Sequence, residues 1–503
     1  MYNSPIDAMN GSPWPAPGPR ERDFTPIALA GISDPLNAYP HSMYWFKNHL
    51  YVGTTRANMC ALSVSKVKTN IVNWPVKCPE NLYDLDMRAQ MHRWSGPTGG
   101  WEEIGRAPII TGRDGSRVPR EIGYRGMAVF QGKSDPEPCL YASTYASARG
   151  YGCNILRTVD GYEFNPIPMP KEFGDFVLTL RLLIPFKGKL FTSPTGRSGD
   201  PNASNFAAIF STDDPVKGDW KLCNEPGFGR GSGNLTVFEM LPFGNHLYAG
   251  TANLSGYELW RTDAEGEPPY KWERVIEKGA YRGKENQGVA SLSVFRNALF
   301  VGSGIQHGGI DVPNKTGPAG PELVRVNEDG SWDLIVGMER ETPTGEKIKP
   351  LSGYGPGFGS FFNGYFWRQG VHNGWLYLGT FNWSLMMSYS SKENWPELFK
   401  KFYGHMGHRA IKDQLGGAEL YRTCDGENWL PVTTNGFGNP YNYGIRAIHS
   451  TPFGICIGTV NPFATEVADI DDNGNLLGYN HNPRGGFELW MADNPSPDRS
   501  PLT

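Results

Sequence analysis

No apolar run in the 503 residues approaches the roughly 20 positions of a bilayer-spanning helix, so no helical membrane protein is expected. Charge is also scarce. Charged residues make up 19% and the net formal charge is -4, which argues against a general binder of nucleic acid or of an anionic membrane surface. Cysteines number 7, an odd count scattered over positions 60, 78, 139, 153, 223, 424 and 456 without a CxxC pair. That pattern predicts reduced thiols and a cytoplasmic protein, and the first residues lack the basic-then-apolar order of a secretory signal. GxSxG, P-loop and dinucleotide signatures are missing too, so no cofactor is expected. No metal is expected either: His405 and His408 form an HxxH without a third ligand, and the calcium-like DIDDNGN from Asp469 has Asn480 where a bidentate Glu is required.

Glycine and proline, in contrast, are abundant at 63 and 41, and aromatics reach 13%, a composition suited to short strands and tight turns. From Phe238 to Val275 the chain reads as four short apolar runs separated by turn residues, a meander of four antiparallel strands. Its second strand, LYAGTAN, returns as LYVGTTR from Leu50, LYASTYA from Leu140, LFTSPTG from Leu190, LFVGSGI from Leu299, LYLGTFN from Leu376 and ICIGTVN from Ile455. Its third strand, YELWRT, recurs alongside. The repeat predicts an all-β, seven-bladed β-propeller with four-stranded blades. After FELWMADN the last copy has no fourth strand, but Asp23 to Asn37 matches the fourth strand of the preceding copy, Asn428 to Asn442. The N-terminal strand is therefore expected to complete the last blade and close the ring, which leaves no open sheet edge. The expected organisation is a disordered Pro-rich lead-in over 1–22, one propeller over 23–493 and a tail over 494–503. The turns of RTVDGYEF ending at Phe164, STDDPVKGDW ending at Trp220 and RTCDGENW ending at Trp429 resemble the Asp-box of sialidase-like propellers. That resemblance implies a hairpin turn held by Asp and an aromatic between blades, and concerns fold more than chemistry.

Long insertions follow Arg56, Gln306, Trp383 and Asn461, all between second and third strands, so they should emerge on one face. Around Pro396 the spacing of Trp395, Leu398, Phe399 and Phe402 predicts a short amphipathic helix, lying over the channel as a lid or flat on the blade rims. At the start of the first, innermost strand of the blades stand His41, Arg125, Arg181, Phe238, Ala290, Trp367 and Arg446, with Glu239 and Arg368 adjacent. Arginines crowded around a narrow hole need an anion or carboxylates to balance them. They either bind a carboxylate, phosphate, sulfate or departing halide through planar forks, or pair with Glu239, Glu121 or Asp175 and staple the ring. Tyr145 and Asn382 close second strands on the same face, although an Asn recurring there reads more readily as a turn cap. Tyr443 brings a phenol beside Arg446.

The LYxGT second strands, the ELWRTxDG third strands and the arginine-lined mouth resemble the propeller of the cylindrocyclophane-type alkylating enzymes. Those cyanobacterial biosynthetic proteins join an alkyl chloride to a resorcinol carbon, and relatives join it to a carboxylate. The resemblance implies that Arg125 and Tyr443 assist halide departure and activate the nucleophile; the family's type member also has a calcium-binding repeat domain without counterpart here. On this reading Arg125 and Arg446 stabilise an anion, Tyr443 and Glu239 handle protons, and Arg181 is a second anchor. His41, Trp367, Arg368, Phe238, Tyr145 and Asn382 then line the site of a small molecule with an anionic or leaving group. Two alternatives stand beside it: a hydrolase or lyase on an acidic glycoside, using Glu239 and a Tyr, and a non-catalytic recognition propeller whose arginines are struts.

Overall fold

The structure, a computed structural model, describes residues 15–65, 69–197 and 203–493. It is all-β and mostly antiparallel, with a few short helices. The Leu-Tyr-x-Gly-Thr runs are strands buried on both faces, as sheets stacked face to face require: Leu50, Tyr51 and Val52 all have 0% exposure. Each pairs on one side with the strand before it and on the other with the strand after it. Asn37–Phe46, His49–Arg56, Gln90–Trp94 and Trp101–Arg106 form one such meander. The pattern repeats from Glu121–Phe130 to Asn165–Pro166, from Ile184–Phe186 to Lys221–Leu222 and from Thr236–Phe243 to Glu273–Ile276. It continues from Gly288–Phe295 to Trp332–Val336 and from Asn363–His372 to Leu430–Thr433. Gly444–Ser450, Gly454–Val460 and Leu489–Asp493 are followed by the N-terminal strand Phe24–Ala28, with Phe24 opposite Ala492.

The repeated glycine has a packing reason. A Cβ on Gly250 would lie 2.5 Å from Val289 Cβ of the next meander, and one on Gly458 would lie 2.7 Å from Pro40 Cγ. Only a bare backbone lets neighbouring sheets approach this closely. The Glu of the ELWRT run is a staple. Glu258, Glu322, Glu419 and Glu488 accept hydrogen bonds of 2.7–2.8 Å from Asn234, Asn286, Asn363 and Asn442, each Asn lying just before or at the start of its meander's first strand. Asp160 and Asp425 hold their turns by accepting from the amides of residues 162 and 163, and 427 and 428.

Insertions gather over one face. The helices Asn58–Ser63, Glu397–Tyr403 and His408–Leu415 and the hairpin Glu466–Ile470/Leu476–His481 share one apolar cluster that reaches down to Tyr39, Phe381 and Tyr443. The helix predicted around Pro396 forms, but half of its expected apolar face points outward. Trp395 and Phe399 are buried, while Leu398 and Phe402 are 60% and 56% exposed. The helix begins only at Glu397, so Trp395 precedes it, and the side it turns to the apolar cluster is that of Phe399 and Tyr403 rather than that of Leu398 and Phe402. Phe399 packs on Trp383 and Phe361 at ring-centroid distances of 5.4 and 4.5 Å.

The cysteines depart from expectation. Cys60 and Cys78 form a disulfide, which closes the insertion after Arg56 across a separation of 18 residues. For these two the reduced-thiol reading fails because spacing along the chain does not report that this insertion folds back on itself, whereas Cys139, Cys153, Cys223, Cys424 and Cys456 are free thiols; a mixed set of this kind no longer argues for a cytoplasmic location. Replacing Cys60 and Cys78 by Ser is expected to lower stability by about 3 kcal/mol through the freed loop, seen in denaturant unfolding as a lower midpoint. An unchanged midpoint would show that the cap holds without its staple. Of the lead-in, residues 1–14 lie outside the described residues, as does the tail from 494. The following segment is docked: Trp375 Nε1 donates to the Ala16 carbonyl at 2.9 Å, and Thr433 Oγ1 donates to Glu21 at 3.1 Å.

Candidate functional site

In six first strands the pairing register slips by one residue, between Pro40 and Ser42, Tyr124 and Gly126, Val237 and Glu239, Val289 and Ser291, Phe366 and Arg368, and Ile445 and Ala447. The extra residue at each slip is His41, Arg125, Phe238, Ala290, Trp367 or Arg446. A bulge takes its residue out of the ladder and re-aims the side chain. Arg181 follows the end of Val177–Leu180 directly. Six of the seven positions of the column predicted from sequence are thus bulges, and its charged and aromatic side chains meet.

Arg181 Nη2 donates to Glu239 Oε1 at 3.2 Å, and Arg368 approaches the other oxygen of Glu239 at 3.8 Å. The Arg181 guanidinium lies 4.6 Å from the Phe238 ring centroid. Arg125 donates through Nε to His41 Nε2 at 3.3 Å and through Nη1 to Thr179 at 3.0 Å, and stands 5.8 Å from the ring of Tyr145. His41 Nδ1 meets Thr55 Oγ1 at 2.7 Å. The imidazole therefore donates from Nδ1 and accepts at Nε2, which is its neutral form. Two buried donors of the cluster have no hydrogen-bond acceptor among the described residues: Nε of Arg181, whose Nη2 reaches Glu239, and Nη1 of Arg446, which is 2% exposed.

Above these groups stands an aromatic wall. Trp367 and Phe381 are 5.3 Å apart, Phe381 and Tyr443 4.8 Å, and the hydroxyls of Tyr39 and Tyr443 are 2.9 Å apart. Tyr39 stacks on His41 at 5.2 Å and receives a hydrogen bond from Asn58 Nδ2 at 3.0 Å.

Electrostatics follow from this crowding. Burial, then Arg368 and Arg181, hold the Arg446 guanidinium well below its ordinary pKa despite Glu239. Burial and Arg181 bring Arg125 down to about 9. Burial keeps His41 well below the usual histidine value, and Arg125, Arg446, Arg181 and Arg368 add to it. Burial raises both phenols. Tyr39 reaches about 12, eased by Tyr443 and by the charges of Arg125 and Arg446, while Tyr443 goes well above its usual value. Four guanidinium groups thus share one ion-paired carboxylate among the described residues, Glu239.

No family model matches this sequence, and no curated protein does. Among solved structures, a puromycin-hydrolyzing peptidase of Mycobacterium tuberculosis aligns at 12% identity and TM-score 0.34 over 89% of this chain and 60% of the peptidase. The chain therefore spans only about 60% of that protein's length. A Penicillium chrysogenum alpha-L-arabinanase aligns at 13% identity and TM-score 0.34 over 71% of this chain and 93% of that one. An alpha-L-arabinofuranosidase from Clostridium thermocellum aligns at 11% identity and TM-score 0.29 over 61% and 94%. Similarity this low carries no inference about chemistry.

Of the residues singled out in the sequence, Arg125, Arg181, Arg368, Arg446, Glu239, His41, Phe238, Trp367, Tyr145 and Tyr443 come together. Asn382 does not join them. Its Oδ1 caps the Ser384 amide at 2.9 Å and its Nδ2 donates to the Leu415 carbonyl at 3.1 Å, so the turn and the cap occupy it. Glu239 is a counter-ion to two arginines rather than a free acid. Glu121 instead binds Arg120 and Asn154, and Asp175 is exposed. Tyr39 was missed. Its signal was its place two residues before the column residue His41, where Tyr365 stands before Trp367.

Proposed function

We propose that the meanders are the seven blades of one closed propeller and that its centre is the anion-binding site of an enzyme acting on a small acidic molecule, as a hydrolase or lyase of an anionic or glycosidic substrate. Closure is supported by two links between the chain ends: Phe24–Ala28 on the last strand, and the Asn461 amide donating to the Ala38 carbonyl at 3.0 Å. The observation that carries the site is Arg446, a buried guanidinium with an unused donor beside three further arginines. Buried charge is retained at such a price in stability where a ligand completes it.

In this reading Arg446 and Arg125 grip the anionic group, Arg181 and Arg368 orient around Glu239, and Phe238, Trp367 and Tyr145 line the body of the ligand. Tyr443 supports proton transfer. Two-carboxylate glycoside hydrolysis needs a second acid that this centre does not offer among the described residues, which favours elimination next to a neutralised carboxylate. The aromatic wall of Trp367, Phe381 and Tyr443 favours a second reading, displacement of halide from an alkyl chloride by an aromatic carbon or a carboxylate, with the halide leaving towards Arg446. The Cys60–Cys78 disulfide suits an oxidising compartment.

The test is turnover, read by mass spectrometry, of uronate-containing oligosaccharides, neutral oligosaccharides, and an alkyl chloride with resorcinol. Acidic oligosaccharides should be cleaved, and Arg446→Gln should lower the rate by about a hundredfold. Cleavage of neutral sugars at the same rate by both proteins would refute the anion site; product from the alkyl chloride would select the second reading.

A further inference from the structure

Tyr39 has no role in the reading above, yet its phenol is the most elaborately held in the centre. Its oxygen lies 2.9 Å from the Tyr443 hydroxyl and 3.0 Å from Asn58 Nδ2, an amide supplied by the disulfide-closed insertion. Its ring is clamped between His41, stacked at 5.2 Å, and Trp367, edge-on at 6.0 Å. With both phenols neutral, either can own the hydrogen they share. With one ionised, the two differ. A Tyr39 phenolate would accept from both Tyr443 and Asn58 within the field of Arg125 and Arg446. A Tyr443 phenolate would have Tyr39 as its partner and Tyr365 as a further phenol nearby. Hydrogen bonds to an anion are roughly twice as strong as neutral ones, so although burial raises both phenols this geometry favours loss of the proton from Tyr39 over loss from Tyr443.

We propose that Tyr39 is the proton-transferring residue of the arginine site, facing a ligand that carries an oxygen beside its anionic group. In the acid direction the Tyr39 O–H bond breaks, the proton goes to the ligand oxygen and the electron pair stays on the phenolate. In the base direction the same proton returns from the ligand to Tyr39. Tyr443 and Asn58 are positioning residues that hold the phenolate oxygen, and Asn58 makes the site dependent on the cap. This rests on the anion site centred on Arg446.

Acetate is the probe, titrated calorimetrically into wild type, Arg446→Gln and Tyr39→Phe after each is checked for folding by circular dichroism. Tyr39 donating to the bound carboxylate predicts about tenfold weaker acetate binding in Tyr39→Phe and loss of binding in Arg446→Gln. The same contact predicts that the ring-carbon resonance next to the hydroxyl of isotope-labelled Tyr39 shifts when acetate is added to wild type. If Tyr39→Phe does not fold, that resonance decides, and a resonance that does not move overturns the proposal. Wild-type affinity in Tyr39→Phe with binding lost in Arg446→Gln overturns the role of Tyr39 and leaves the anion site standing. Wild-type affinity in both variants removes the anion site itself.

Discussion

Between pH 6.5 and pH 4 the protein should lose stability steeply, because four histidines are held neutral in the folded state. Burial brings His92, His408 and His449 down to about 4 and His41 well below its usual value. His449 Nε2 accepts the Trp45 amide at 3.0 Å and His41 Nε2 accepts Arg125 at 3.3 Å, so protonating either ring would also break a hydrogen bond. A depressed folded pKa gives stability that is complete above the unfolded value of 6.5 and is lost as pH falls towards the folded value. Each such group contributes a slope of about 1.4 kcal/mol per pH unit across that window. His92 alone should remove about 2.5 kcal/mol by pH 4.5, and His41, buried as deeply, adds to the loss in the same direction. His408 and His449 are partly accessible and add less. Glu121 and Glu419 oppose the trend, since burial pushes their carboxyls up. Denaturant midpoints measured from pH 7 to pH 4.5 should fall continuously, and less steeply in His41→Asn. A flat profile would mean that these rings are protonated in the folded protein.

Arg446→Gln should make the protein more stable. In buffer free of multivalent anions, removing a buried charge without an acceptor should raise stability by about 2 kcal/mol. Adding sulfate should then stabilise wild type by mass action and leave the variant unmoved, so that the two converge at high sulfate. The opposite order, a variant that unfolds more readily and responds to sulfate as wild type does, would make Arg446 a structural strut.

The repeat was legible because its glycine and its glutamate are each dictated by packing: Gly250 by the approach of Val289, and Glu258 by the Asn234 staple. The glycine stands in five of the seven copies and the glutamate in four, enough to align the remaining strands. The arginine column was legible for a different reason, since a cation recurring at one register position conflicts with a buried strand. What alignment of the repeat did not reveal is that a bulge aims those residues. A bulge leaves no residue signature in His41, Phe238 or Ala290, which differ in size and charge. Tyr39 escaped because an aromatic in a strand looks like any core residue until Tyr443 and Asn58 are seen on its oxygen. The disulfide escaped because the sequence between Cys60 and Cys78 carries no periodicity from which to infer that the two meet.

The most direct test of an anion site among these arginines is the anomalous scattering of bromide soaked into crystals of the protein. The account predicts a bromide peak within hydrogen-bonding distance of Arg446 Nη1, absent from crystals of Arg446→Gln. Bromide found at surface lysines and arginines but not beside Arg446 would contradict it.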